Sequence, residues 1–94
     1  MRNLYNGKTE KPVGRYIEFN NYEEIARFVN LYKDLFYRPV KGSINYEYGF
    51  HVTNYGELRL CFTIFKEDWK VIENNINLEC QDKGRGKRLW KYIG

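Results

Sequence analysis

The sequence predicts an α+β protein, and two kinds of apolar pattern carry that prediction. Between Ser43 and Phe65, large apolar residues occupy every second position on both sides of the turn Asn54-Tyr55-Gly56. Side chains alternate between the two faces of a strand, so this pattern predicts a β-hairpin with one apolar face. In two other stretches, apolar residues recur at intervals of three and four, which is typical of amphipathic helices.

The register of the hairpin follows from its loop. Residues directly opposite in an antiparallel pair share a face. A three-residue loop from Asn54 to Gly56 places apolar residues opposite apolar ones, whereas a two-residue loop would oppose them to polar ones. Gly56 also stands where such a loop needs a left-handed residue. The expected pairs are Val52 with Leu58, Phe50 with Leu60, Tyr48 with Phe62, and Tyr46 with Ile64. This register predicts that Phe50 and Phe62 are both core residues.

Three further elements are predicted around the hairpin. Arg15 to Phe19 is a short strand with Ile17 and Phe19 on one face. A first helix runs from about Tyr22 to about Tyr37, since Asn21 and Glu24 have the spacing of a capping box and Pro39 ends the pattern. A second helix begins at Lys66, with Phe65, Trp69, Ile72 and Ile76 on one stripe. Asparagines 74, 75 and 77 indicate its end.

These elements give an antiparallel sheet with two helices on one face, in the order βαββα(β). Residues 88–93 are the optional last strand, with Leu89 and Ile93 on one face and Trp90 and Tyr92 on the other. With that strand the arrangement would be ferredoxin-like, and without it a smaller βαββα sandwich remains.

The chain organisation follows the same division. With 94 residues, 43% of them hydrophobic, the composition suits one domain with its own core. We predict a flexible arm over residues 1–13, a single α+β domain over 14–82, and a basic segment over 83–94. No apolar run is as long as a membrane span and the N-terminus lacks a signal-peptide pattern, so we expect a cytoplasmic protein without membrane contact.

The charges lie mainly at the two ends of the chain. The net charge is +4, with +3 in residues 1–15, −3 in residues 16–80 and +4 in residues 81–94. Basic side chains neutralise phosphates, and aromatic rings stack on unpaired bases. The candidate nucleic-acid-binding residues are Lys83, Arg85, Lys87, Arg88, Trp90, Lys91 and Tyr92.

The residue types argue against catalysis and against a metal or cofactor. The single serine, Ser43, and the single histidine, His51, lie about 26 Å apart on one predicted strand, which is too far for a nucleophile and its base. Cys61 and Cys80 form no CxxC pair and are interpreted as ordinary thiols. We therefore predict no catalytic residue, no metal site and no cofactor.

The leading functional prediction is a small non-enzymatic protein that binds nucleic acid through its C-terminal segment. The alternative is an inhibitor or adaptor that binds and regulates another protein, for example a host or mobile-element factor. A small ribonuclease is the third and weaker interpretation. The strand at 43–53 is also a candidate sheet edge through which two copies of the chain could form a homodimer.

Overall fold

The computed structural model describes residues 11–38, 48–82 and 88–94. Within them the chain forms a five-stranded mixed sheet and two helices, which confirms the predicted α+β class. The elements are β1 (Val13–Phe19), α1 (Tyr22–Tyr32), β2 (Tyr48–Val52), β3 (Leu58–Ile64), α2 (Lys66–Asn75), β4 (Leu78–Asp82) and β5 (Arg88–Tyr92).

The sheet differs from the prediction in one strand and in one direction. Its order is β2-β3-β1-β5-β4. All neighbours are antiparallel except β1 and β5, which run parallel with Ile17 opposite Trp90. The predicted last strand is β5, but the sequence analysis missed β4, which pairs with β5 as a hairpin. Because β5 runs parallel to β1, the sheet is mixed rather than antiparallel, and the additional edge strand β4 makes the strand order differ from that of a ferredoxin-like fold.

The β2–β3 hairpin has the predicted register. Val52 lies opposite Leu58, Phe50 opposite Leu60 and Tyr48 opposite Phe62. Gly56 has a φ of 80°, as the three-residue loop requires. The last expected pair involves Tyr46, which lies outside the described residues. Ile64 forms an isolated antiparallel bridge with Phe36.

Helix α1 begins where the sequence predicts and ends earlier. The Asn21 side-chain oxygen accepts a hydrogen bond from the Glu24 backbone N–H at 2.9 Å, and the Glu24 carboxylate accepts one from the Asn20 N–H. The helix ends at Tyr32 and is followed by a short 3₁₀ turn, not by helix up to Tyr37. The bridge between Phe36 and Ile64 holds this segment extended beside β3.

One apolar core lies between the two helices and one face of the sheet, here called the helix face. Ile17 and Phe19 of β1, and Leu60, Phe62 and Ile64 of β3, pack there against Ile25 and Phe28 of α1 and Trp69 and Ile72 of α2. Trp90 of β5 belongs to the same cluster. The opposite face, here called the open face, carries Tyr16, Glu18, Arg59, Cys61 and Lys91. The two predicted helices therefore lie on one face, as expected.

The core stops before β2, which corrects the expectation for Phe50. Phe62 is 3% exposed, whereas Phe50 is 43% exposed although the two residues lie on the same face. Strand β2 is at the edge of the sheet, and Phe50 contacts the ring of Tyr22, which is itself exposed. The alternation of the sequence identifies the face correctly, but it cannot show how far the helices extend over that face.

The difference in burial predicts unequal losses of stability. We expect Phe62→Ala to lower the free energy of unfolding by about 3–5 kcal/mol, because it empties a site in the packed core. Phe50→Ala should cost less than about half as much, since its ring already contacts water. Urea denaturation of both variants measures this. Equal losses would place Phe50 in the core after all.

The turn geometry predicts a second difference. Gly56→Val should lower the melting temperature more than Tyr55→Val, because a β-branched residue resists the positive φ of Gly56. Tyr55 is the matched control, since it lies in the same turn and is almost fully exposed. Thermal unfolding followed by circular dichroism measures both, and identical melting temperatures would contradict the loop assignment.

Candidate nucleic-acid interface

Four of the seven predicted binding residues lie in one strand of the sheet, β5. Lys83, Arg85 and Lys87 lie outside the described residues. Arg88 is the first residue of β5, and Trp90, Lys91 and Tyr92 follow in the same strand. Both Leu89 and Trp90 are buried, so this part of the chain is an integral strand of the domain.

Trp90 is packed in the core, where its ring has no face for a base. It is 7% exposed, and its ring meets that of Trp69 edge-on with 5.2 Å between centroids. The guanidinium carbon of Arg15 lies 5.0 Å from the Trp90 ring and 5.3 Å from the Trp69 ring. Tyr92 packs on Phe19 at 5.1 Å on the same face. The expected stacking role of Trp90 therefore does not fit its position, and its indole instead helps to hold Arg15 by cation–π attraction.

Lys91 lies on the open face, beside a carboxylate. Its ammonium nitrogen is 4.0 Å from one oxygen of Glu18, and the other oxygen of Glu18 is 3.5 Å from Nε of Arg59. Arg59 also forms an ion pair with Glu57 at 3.2 Å. These pairs cross β3, β1 and β5, so the positive charges in the middle of the open face are largely balanced. Lys91 is half-exposed but offers little excess positive charge.

Tyr16 is an exposed aromatic residue that the sequence analysis did not select. It is 48% exposed and lies on the open face of β1, near the middle of the sheet. The signal for it was present, because placing Ile17 and Phe19 on the helix face assigns Tyr16 to the other face.

A depression of about 210 Å³ lies beside Tyr16 on the open face. Two glycines create it, since Gly14 stands opposite Thr63 and Gly49 opposite Cys61, on the two strands that flank β3. A Cβ atom at Gly14 would meet nothing within 4 Å, and one at Gly49 would meet only Cys61 Sγ at 3.6 Å. The missing side chains leave space for several heavy atoms, because one water needs only about 30 Å³.

The parallel pairing of β1 and β5 brings the two basic segments of the sequence to one end of the sheet. Parallel strands start at the same end, so residues 1–12, which precede β1, and residues 83–87, which precede β5, join the sheet side by side. Lys11 is exposed at this end. The depression is at the same end, because Gly14 is the second residue of β1. This end of the sheet is called the basic end.

Comparison with other proteins adds no identification. No family model matches the chain, and no curated protein and no solved structure is detectably similar to it. Among residues 11–38, 48–82 and 88–94, no group of three histidine, cysteine or acidic side chains could hold a metal ion. No helix in the described part of the chain is long and apolar enough to cross a membrane.

The position of Trp90 predicts a structural phenotype. We expect Trp90→Ala to lower the free energy of unfolding by about 3–5 kcal/mol, because it removes a buried ring that contacts Trp69 and Arg15. Chemical denaturation followed by far-ultraviolet circular dichroism measures the loss. A variant as stable as the parent protein would place this ring outside the core.

Proposed function

We propose that this protein is a small, non-enzymatic module that binds single-stranded nucleic acid at the basic end of its open face. The observation that carries the proposal is the parallel pairing of β1 with β5. The two strands that follow the basic segments therefore begin at the same end of the sheet, near the exposed ring of Tyr16 and the depression. Phosphates would be contacted by the basic segments, and an unpaired base would stack on Tyr16.

The ring of Tyr16 takes over the stacking role first assigned to Trp90. A base stacks on an aromatic side chain only if the ring is accessible, and Tyr16 is 48% exposed. It also lies on a rigid central strand, so little ordering entropy opposes binding. The depression between Gly14 and Gly49 leaves room next to the ring for the edge of a base.

The charge distribution favours the same end of the sheet. Residues 81–94 carry five basic side chains and one acidic one. In contrast, the middle of the open face is balanced by Glu18, and the start of α1 carries Glu23 and Glu24. The start of α2 at the basic end carries Glu67 and Asp68, so attraction of a polyanion to this end would depend on the two basic segments.

The second candidate function is an inhibitor or adaptor that binds another protein. Its specific support is the exposure of Tyr22, Tyr48 and Phe50 at the edge of the sheet, since aromatic side chains are common in protein interfaces. A small ribonuclease stays a prediction without comparable support.

A binding titration with a labelled single-stranded oligonucleotide tests the first candidate. Tyr16→Ala should weaken binding by about 1–3 kcal/mol, the range for loss of one stacked base. Tyr55→Ala is the matched control, because it removes an exposed tyrosine from the turn at the opposite end of the sheet and should leave affinity unchanged. Gly14→Ala should also weaken binding, since its Cβ atom would enter the depression and meet nothing within 4 Å.

Salt dependence separates the stacking ring from the charges. Replacing Lys83, Arg85 and Lys87 together by glutamine should make the slope of log affinity against log salt shallower by about 2, at about 0.7 per phosphate contact. Tyr16→Ala should leave that slope unchanged, because stacking releases no counterions. If the intact protein binds neither RNA nor DNA more tightly than about 100 μM at low salt, the proposal fails and the inhibitor becomes the better interpretation.

A further inference from the structure

The depression beside Tyr16 presents uncharged side chains on the open face. Thr63 and Cys61 of β3 lie between the two glycines that create it. The thiol of Cys61 is free. Among the described residues that line the depression, Arg15 is the one with a charged side chain, and its guanidinium lies on the helix face, 5.0 Å from the Trp90 ring. The surface of the depression is therefore neutral.

Charged side chains next to the depression neutralise one another. Glu18 follows Tyr16 by two residues on β1, and Arg59 precedes Cys61 by two residues on β3, so both lie on the open face. The Glu18 carboxylate is 3.5 Å from Nε of Arg59 and 4.0 Å from the Lys91 ammonium nitrogen. A phosphate that entered the depression would lose water without gaining an unpaired cation from these residues. The neutral part of a nucleotide, its base, loses less hydration there.

The polar groups of the depression have no fixed pattern of donors and acceptors. A threonine hydroxyl rotates and can donate or accept, and a thiol is weak in both roles. Proteins that select one base use side chains with a fixed pattern, such as arginine for guanine and asparagine or glutamine for adenine. No described residue that lines the depression presents such a group on the open face. Hydrogen bonds from Thr63 and Cys61 are therefore equally available to every base.

We propose that the depression receives one unpaired base of a single strand, whatever the identity of that base. The inference rests on the proposed function and specifies the class of ligand, which is single-stranded nucleic acid of any sequence. The ring of Tyr16 supplies stacking, which every base accepts because every base has a π-face. The edge of the same base enters the depression and meets Thr63 and Cys61, while the phosphates stay outside.

Fluorescence anisotropy with labelled strands of a single base tests the lack of selectivity. Strands of thymine, cytosine or adenine, each about 15 nucleotides long, should bind within about threefold of one another. Directed hydrogen bonds to one base would instead give about five- to 150-fold discrimination. A preference of more than about tenfold for one base overturns the inference.

Matched DNA and RNA strands identify the part of the nucleotide that is bound. The base is common to both, so their affinities should also agree within about threefold. A preference of more than about tenfold for RNA would assign the depression to the ribose 2′-hydroxyl and overturn the inference.

The Thr63→Val variant tests whether the hydroxyl distinguishes between bases. Valine keeps the branched shape of the side chain and removes its oxygen, so the ratios of the affinities for the three strands should stay unchanged within about twofold. Circular dichroism establishes that the variant is folded. Ratios that change by more than about fivefold would show that the hydroxyl selects a base, which contradicts the inference.

Nitrogen-15 NMR of the unmodified protein locates the base. The thymine strand should shift the amide signals of Gly49 and Cys61, whereas that of Tyr55, at the opposite end of the sheet, should stay in place. An abasic strand of equal length keeps the phosphates and should leave all three signals in place. Equal shifts with the abasic strand would put the sugar–phosphate backbone in the depression and overturn the inference, while the proposed function stands. If no strand binds, the proposed function fails and the inference fails with it.

Discussion

The packing of Trp90 between β1 and α2 is the contact on which the rest of the arrangement depends. Its indole meets Trp69 edge-on, and the guanidinium of Arg15 lies against both rings. This contact holds β5 beside β1 and leaves β4 at the edge of the sheet. It also places a basic side chain on the helix face at little cost, because the electron-rich ring faces replace part of the lost water.

The same contact determines the end of the sheet at which the segment before β5 joins it. With β5 parallel to β1, two basic segments that are distant in sequence join the sheet at one end. An antiparallel β5 next to β1 would have put them at opposite ends. In the middle of the open face, Glu18 pairs with Arg59 and Lys91, so the positive charges there are largely balanced. The location of the proposed interface is therefore a consequence of strand direction.

The helix face of the sheet is covered at β3 but only partly covered at β2. Phe62 on β3 is covered by Phe28, Phe36 and Trp69, whereas Phe50 on the neighbouring strand is covered in part by Tyr22. The two helices do not cover the full width of the five strands, since Tyr48, Phe50 and Val52 of β2 are 43–46% exposed.

Most of the local elements could be predicted from residues that are close in the chain. The alternation around Gly56 gave the hairpin and its register, and the positive φ of Gly56 agrees with it. The Asn21–Glu24 spacing gave the start of α1, and the stripe from Phe65 gave α2. Each of these features depends on residues close in the chain, whose spacing the sequence states directly. The strand β4 was missed because Leu78 and Cys80 are too few apolar residues to establish an alternation.

Long-range packing sets which faces are covered and which strands are neighbours. A sequence period shows that Trp90 and Phe50 each belong to a face of a strand, but not that the first is buried and the second exposed. That difference depends on the strand order, which is set by long-range packing of Trp90 on Trp69. For the same reason, the proposed interface includes Tyr16 and the basic end and not the ring of Trp90. Burial is a property of the assembled layers, whereas periodicity is a property of the chain.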